Sequence, residues 1–197
     1  HETDATGAAK SGVLTFGSEY SKGSVQFMNN VELDNNTVRI AVYNNGDSDP
    51  SYSKATLSGR WVNTGSGSTM IIGDSSPTSP YTGSLFMTGQ NALDNLIVAG
   101  GIVSTFNESS PTAGKLFKPT SELIVFGDKR RLSPGSSNVL SSSELHLFSD
   151  EKLSQVSVLL GGRLTTTQRL EVSGNMTNFG ELVILGADKV SVDPALI

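Results

Sequence analysis

Apolar residues occur along the chain in short runs that end at Gly, Asn, Asp, Ser or Pro, and residues 37–43 (TVRIAVY), 123–126 (LIVF) and 182–185 (LVIL) are examples. Runs of this length, rich in β-branched residues and bounded by turn formers, are typical of strands. The one stretch with some helical character, residues 91–95 (NALDN), is too short to form a stable helix. The pattern therefore predicts an all-β chain of short strands joined by tight connections.

One phrase occurs three times, as SELIVFGD from Ser121, SELHLFSD from Ser143 and GELVILGAD from Gly180. A sandwich or a closed barrel does not require such a repeat. A solenoid does, because each coil stacks on the previous one and brings equivalent positions into register. We therefore expect a three-sided parallel β-helix, also called a β-solenoid, with coils of about 18–25 residues.

The spacing of the phrase suggests a register for the coils. The step from Glu122 to Glu144 would be one coil, and the step from Glu144 to Glu181 would be two. The coil between the last two would then place Leu164 or Leu170 on the same face. Two further similar segments, residues 98–104 (VAGGIVS) and 159–165 (LLGGRLT), predict another corner of the coil, about three coils apart.

Side chains alternate across a strand, so each repeat divides into inward and outward positions. The inward positions would form an aliphatic ladder, and they are Leu123, Val125, Leu145, Leu147, Leu182 and Ile184. The outward positions are Ile124, His146 and Val183. The Asp residues that follow the strands, Asp128, Asp150 and Asp188, would turn the corners by bonding to backbone groups.

The charge balance excludes a nucleic-acid-binding function, since the chain has 14 Lys and Arg against 19 Asp and Glu. Its one dense cationic run, Lys129-Arg130-Arg131, is interpreted as a solvated turn. The absence of cysteine excludes disulfides, thiolate zinc sites and cysteine nucleophiles. A charged fraction of only 17%, with 21 glycines, is typical of β-rich extracellular proteins.

Candidate catalytic chemistry is sparse. His146 is the one histidine away from the terminus, it falls at an outward strand position, and no G-x-S-x-G motif accompanies it. Glu122 and Glu144 would lie about 5 Å apart on neighbouring coils, where calcium could bind, although two solvated carboxylates are the simpler interpretation. Residues 45–50 (NGDSDP) lack the terminal Glu of a calcium loop. We expect no catalytic residue, cofactor or metal.

Residues 83–91 (GSLFMTGQN), followed by 96–103 (LIVAGGIV), resemble the passenger-associated repeat of bacterial autotransporters. The similarity extends over residues 56–186 and departs from the family pattern at 91–95, where the family has an Asn-Thr-aromatic-Thr-Gly turn. The resemblance implies a right-handed parallel β-helix that is exported to the bacterial surface as an adhesin or a stalk. It also implies that the full-length protein is attached to the outer membrane.

We accordingly expect a flexible segment over residues 1–10 and one β-helix domain over 11–197, as a fragment of a longer passenger. The leading hypothesis is a non-enzymatic extracellular segment that contacts a surface protein or glycan of a host or neighbouring cell. The candidate contact residues are Asn45, Asp47, Asp49, Trp61, Tyr81, Lys129, Arg130 and Arg131. Trp61 could instead pack against the coil. The alternatives are a polysaccharide-degrading β-helix enzyme with paired carboxylates, or a structural stalk or autochaperone segment.

Overall fold

The computed structural model describes residues 12–17, 24–34, 36–44, 54–63, 67–74, 83–108, 112–126, 143–185 and the backbone of 190–192. These residues form strands and no helix, which confirms the all-β prediction. The strands are β1 (Gly12–Phe16), β2 (Ser24–Phe27), β3 (Val31–Leu33), β4 (Thr37–Val42), β5 (Lys54–Leu57), β6 (Trp61–Asn63), β7 (Thr69–Ile72), β8 (Ser84–Met87), β9 (Gln90–Val98), β10 (Ile102–Ser104), β11 (Lys115–Val125), β12 (Glu144–Leu147), β13 (Glu151–Leu153), β14 (Gln155–Val158), β15 (Arg163–Thr166), β16 (Leu170–Val172), β17 (Met176–Asn178), β18 (Glu181–Ile184) and β19 (Val190–Val192). No helix among the described residues has the length and apolarity needed to cross a bilayer.

The strands form three walls, and every pairing between the described strands is parallel. Wall 1 has the order β1-β4-β7-β9-β11-β14-β17, and wall 2 has the order β2-β5-β8-β10-β12-β15-β18. Wall 3 contains β3, β6 and the first halves of β9 and β11, followed by β13-β16-β19. The chain visits walls 1, 2 and 3 in turn, which is the path of a three-sided parallel β-helix.

Each coil contributes one strand to wall 2, so the described residues make seven coils, numbered here from the N-terminal end. In coils 3 to 5 the chain passes from wall 3 into wall 1 without a break, because β9 and β11 are each long enough to serve both walls. The parallel β-helix is therefore the fold of this chain. The hand of the coil stays a prediction.

The register confirms one half of the predicted spacing. Glu144 lies beside Arg163, which lies beside Glu181, so these two glutamates are two coils apart. The residue that occupies the inward position between Leu145 and Leu182 is Leu164, whereas Leu170 lies on wall 3.

The other half of the predicted spacing is wrong. Glu122 lies on wall 1 between Asn95 and Gln155, while Glu144 lies on wall 2. The two phrases therefore belong to different walls of one coil and not to one wall of two coils. Their similarity has a physical cause, since every wall needs the same alternation of aliphatic inward and polar outward positions.

The inward ladder is confirmed where coils cover it on both sides. Leu123, Val125, Leu145 and Leu147 are all fully or almost fully buried. Ile184 is 43% exposed because β18 is the last strand of wall 2, with no described strand stacked beyond it. The predicted outward residues Ile124, His146 and Val183 are all partly exposed.

The two double-glycine segments form the corner between walls 1 and 2, as predicted. Their separation is two coils and not three, because Val98 pairs with Val125 and Val125 pairs with Val158. Of the predicted corner aspartates, Asp128 and Asp188 lie outside the described residues. Asp150 does bond to a corner, where its Oδ1 accepts a hydrogen bond of 3.0 Å from the backbone N–H of Arg169 in the next coil.

Glycines also line the corner between walls 2 and 3. Gly59, Gly89 and Gly114 follow β5, β8 and β10 in consecutive coils. A Cβ added to Gly89 would lie 2.0 Å from the carbonyl oxygen of Gly59, which is far inside van der Waals contact. Only residues without a side chain let the backbones of adjacent coils approach this closely at the corner.

We expect Gly89→Ala to lower the free energy of unfolding by about 1–3 kcal/mol, because the added methyl group must push one coil away from the next. Gly12→Ala is the matched control, since a Cβ there meets nothing within 4 Å, and it should change stability by less than about 0.5 kcal/mol. Urea unfolding of both variants measures the difference. Equal stabilities would show that the glycine corner is not tightly packed.

Candidate functional site

Among the candidate contact residues, Trp61 is described, and of its two interpretations the structure favours packing against the coil over contact with a partner. It is the first residue of β6, faces inward and is only 2% exposed. Its ring lies 5.9 Å from that of Phe27, between centroids, and its backbone N–H donates to Oδ1 of Asn91 at 2.9 Å. Trp61 is therefore part of the interior packing and is not available for contact with a partner.

The other candidate contact residues lie outside the described residues, and their role stays a prediction. They are Asn45, Asp47, Asp49, Tyr81, Lys129, Arg130 and Arg131.

One group of polar side chains on the described outer surface lies on wall 2 in coils 5 to 7. Glu144, Arg163 and Glu181 open β12, β15 and β18 and occupy the same register position. Since their neighbours Leu145, Leu164 and Leu182 face inward, these three side chains face outward. Neighbouring strands are about 4.8 Å apart, so the three residues form a column along the solenoid axis, the wall 2 polar column.

Two side-chain contacts involve residues of this column. Nε of Arg163 lies 3.6 Å from Oε2 of Glu181, and Nε2 of His146 lies 2.9 Å from Oε2 of Glu144. The side chains of Arg163 and Glu181 are 37% and 54% exposed. Their heads therefore reach solvent, and exposed pairs of this kind add little to stability.

Two phenylalanines lie at the opposite end of the wall 2 strands, where the chain leaves wall 2. Phe106 and Phe148 follow β10 and β12, and their ring centroids are 5.4 Å apart with an angle of 39° between the planes. The backbone N–H of Phe148 donates to Oγ1 of Thr105 at 2.8 Å, which links these two corners. Both residues are partly exposed, so they form a small apolar patch at that end of wall 2.

A second unusual group is the carboxyl of Glu151, which faces inward and is 2% exposed. One oxygen accepts from the backbone N–H of Leu116 at 2.7 Å and from Oγ of Ser149 at 3.1 Å, and the other accepts from the N–H of Phe117 at 3.2 Å. Burial raises the pKa of Glu151 to about 7. The three hydrogen bonds and the nearby Lys115 ammonium group oppose this rise without cancelling it.

Glu151 has a structural role that explains its burial. On wall 3, β9 pairs with β11 and β13 pairs with β16, but no backbone ladder joins β11 to β13. The Glu151 carboxylate supplies the acceptors that a neighbouring strand would otherwise provide. Sequence patterns did not single out Glu151, because a strand of three residues is too short for its alternation to show which side chains face inward.

The described outer face of wall 3 carries several exposed or partly exposed ion pairs. Lys152 donates a hydrogen bond to Glu171, which lowers the pKa of Glu171, and Nη2 of Arg169 lies 3.3 Å from the same carboxylate. Lys118 and Asp94 form a further pair at 2.8 Å. Because each charge already has an opposite charge beside it, these residues hold adjacent coils together and do not suggest a reaction.

The calcium pair considered as an alternative is not formed, because Glu122 and Glu144 lie on different walls. Among the described residues, no group of three or more His, Asp or Glu side chains is placed to hold a metal ion.

Comparisons with known proteins give no information on the function of this chain. No family model, curated protein or solved structure matches the chain. The resemblance to autotransporter passengers therefore depends on the sequence motifs alone. Because one fold serves many functions, the function must be argued from the outer surface of the β-helix.

Proposed function

We propose that this chain is a segment of a secreted or bacterial cell-surface β-helix protein that makes adhesive contact with a host or neighbouring cell and catalyses no reaction. The observation that carries the proposal is the stack of seven coils in the described residues, each in parallel register with the next. Solenoids of this kind are stiff and offer long lateral surfaces, which suits them to display and contact.

The distribution of chemical groups supports contact rather than catalysis. Buried aliphatic side chains fill the interior, and the one buried carboxyl among the described residues, that of Glu151, is occupied by backbone and serine hydrogen bonds. The charged residues with solvent-exposed heads lie on the outer faces, where a partner can reach them. Recognition surfaces on rigid scaffolds are built in this way.

A polysaccharide-degrading enzyme is the second candidate, and the wall 2 polar column is the observation that favours it. Glu144 and Glu181 lie two strand spacings apart, about 10 Å between backbones, close to the carboxyl separation of inverting glycosidases. However, Arg163 occupies the position between them, where the scissile bond and the water molecule would have to lie. This arrangement suits sugar binding better than hydrolysis.

The test measures binding of the fluorescently labelled protein to cultured epithelial cells and to bacterial cells by flow cytometry. We expect saturable binding that excess unlabelled protein displaces and that heat-unfolded protein does not reproduce. Replacing Lys129, Arg130 and Arg131 by Ala tests the predicted basic contact run. Absence of saturable binding to every cell type would overturn the proposal, and release of reducing ends from a polysaccharide panel would favour the enzyme.

A further inference from the structure

We propose that the corner between walls 1 and 2, the wall 1–2 edge, is the surface through which this protein binds its partner, and that the partner is a folded protein. The edge consists of the residues that connect each wall 1 strand to the wall 2 strand of the same coil. This inference rests on the proposed contact function and names the surface and the class of partner.

The three longest connections between described strands all belong to this edge. Residues 43–53, 73–83 and 126–143 join walls 1 and 2 in coils 2, 3 and 5. Coils 4 and 6 close the same corner with residues 99–101 and 159–162 alone. The fold therefore needs only the short form of the corner. Extra length costs little free energy, and insertions on a rigid scaffold are where binding residues concentrate.

Backbone hydrogen bonds across the corner hold the ends of successive connections side by side. The N–H of Tyr43 donates to the carbonyl of Phe16 at 2.9 Å, and the N–H of Gly83 donates to the carbonyl of Val42 at 3.0 Å. Adjacent coils are about 4.8 Å apart, so the connections of coils 1, 2 and 3 begin and end within about 10 Å of one another along the axis. One partner at this edge can therefore meet all three connections.

The sequence places every tyrosine of the chain in these three connections, which are residues 17–23, 43–53 and 73–83. The tyrosines are Tyr20, Tyr43, Tyr52 and Tyr81. Most of the other residues in the three connections are Gly, Ser, Asn, Asp or Pro. Tyrosine combined with Ser, Gly and Asn is the composition of antibody surfaces that bind proteins, because the tyrosine ring supplies contact area at a low cost in conformational entropy. This composition fits a folded protein as the partner.

The charge along the edge changes sign between coils. The acidic excess of coils 1 to 3 comes from Glu19, Asp47, Asp49 and Asp74, with Lys22 as the one base in these connections. The basic excess of coil 5 comes from Lys129, Arg130 and Arg131, with Asp128 as the one acid. A complementary partner presents basic groups opposite coils 1 to 3 and acidic groups opposite coil 5. A folded protein can hold both signs in such a fixed arrangement, whereas an anionic membrane or an acidic polysaccharide presents one sign.

Described apolar side chains extend the edge into coils 6 and 7. Leu160 is 58% exposed and Phe179 is 68% exposed, and both lie in connections between walls 1 and 2. Leu160 precedes Gly161, whose φ of 86° marks a tight turn, and the coils stacked on both sides leave the leucine side chain uncovered. Polar residues are usual in turns. Leucine and phenylalanine here add little to the interior but suit the apolar centre of an interface.

The length of the edge matches one protein interface. The seven coils span six strand spacings, or about 29 Å. A protein interface of standard size covers about 800 Å² on each partner and is roughly 30 Å across. One folded protein can therefore contact the tyrosine-bearing connections and Leu160 together.

The experiment measures binding of the fluorescently labelled protein to cultured epithelial cells and to bacterial cells, with the edge altered in two ways. Replacing residues 74–83 by Gly-Gly gives coil 3 the short corner that coil 4 has between Val98 and Ile102, which pair with Ile72 and Ser84. The fold should therefore be kept, and a thermal melt checks this. We expect this replacement and Leu160→Asp each to weaken saturable binding by about tenfold or more, because each removes groups that the partner covers.

Leu185→Asp is the matched control for Leu160→Asp. Leu185 is 55% exposed, close to the exposure of Leu160, but it follows β18 at the corner between walls 2 and 3. The control variant should bind as the unaltered protein does. Equal weakening by the two Asp variants, or unchanged binding after both changes to the edge, would overturn the assignment of the wall 1–2 edge. If the shortened corner does not fold, the comparison of the two Asp variants decides the result.

Treatment of the cells with enzymes tests the class of partner. Binding that is lost after trypsin treatment and kept after glycosidase treatment would support a protein partner. Binding that is kept after trypsin treatment would overturn it in favour of a glycan or a lipid surface. Cell binding that the changes to the edge leave intact would overturn this inference and leave the contact proposal standing. Absence of binding to every cell type would overturn the contact proposal, and this inference with it.

Discussion

Replacing Leu147 by Asp is expected to prevent stable folding of the β-helix. Leu147 lies at an inward position of wall 2, is fully buried, and neighbours the buried Thr166 of the next coil. An aspartate there must either carry an unpaired charge in the apolar interior or bind a proton to avoid it, and both cost free energy. We expect a loss of at least about 4 kcal/mol, which is a large part of the stability of a typical domain.

The measurement is circular dichroism with urea unfolding, and the control introduces the same residue one position earlier. His146→Asp places the carboxylate on the outer face, where His146 is 30% exposed, so it should cost no more than about 1 kcal/mol. If His146→Asp unfolded the protein and Leu147→Asp did not, the inward and outward assignment of β12 would be reversed.

The fold class and the side-chain orientation could be predicted from the sequence because they depend on local patterns. The alternation in the three repeated phrases identified Leu123, Leu145 and Leu147 as inward, and all three are buried. The repeat itself indicated a solenoid, since stacked coils require equivalent positions to recur. Both inferences need only the two-residue period of a strand and the existence of stacking.

The assignment of strands to walls could not be predicted in the same way. From Leu164 to Leu182 one coil takes 18 residues, whereas from Val103 to Leu145 one coil takes 42. Long insertions at a corner cost little free energy, because the entropy of loop closure grows slowly with length. Distance along the chain therefore does not report the register, and this is why Glu122 and Glu144 were placed on one wall.

The candidate site was predictable only in part, for a related reason. Trp61 and Glu151 both lie on three-residue strands, where alternation is too brief to indicate which side chains face inward. The wall 2 polar column could not be recognised as a unit, because Arg163 belongs to the double-glycine segment and not to any of the three repeated phrases that contain Glu144 and Glu181. Its membership follows from the pairing of β15 with β12 and β18, which only the three-dimensional structure supplies.

The interruption of wall 3 gives Glu151 a special position in the stack. Coils 4 and 5 are joined on walls 1 and 2 by backbone ladders, but the described part of wall 3 joins them through the Glu151 carboxylate at Leu116 and Phe117. A backbone ladder does not respond to pH, whereas a carboxyl does. Stability between these coils should therefore depend on the protonation of Glu151.

The sign of this dependence follows from the raised pKa. The folded protein holds the Glu151 proton more tightly than the unfolded chain does, with a pKa of about 7 against 4.5. The contribution of Glu151 protonation to the free energy of unfolding is thus fully present below pH 4.5, and it is lost as the pH rises through 7. Between pH 5 and 8 the loss amounts to about 2–3 kcal/mol, at about 1.4 kcal/mol for each unit of pKa difference.

Glu151→Gln tests this expectation, because glutamine keeps the shape and one acceptor but does not titrate. Urea unfolding of both proteins at several pH values between 5 and 8 gives the difference between their free energies of unfolding at each pH. The contributions of all other titrating groups cancel in this difference, because both proteins contain them. We expect the advantage of the unaltered protein over Glu151→Gln to shrink by about 2–3 kcal/mol across this range. Parallel stability curves would mean that Glu151 keeps one protonation state throughout, and that the hydrogen bonds from Leu116 and Phe117 outweigh the cost of its burial.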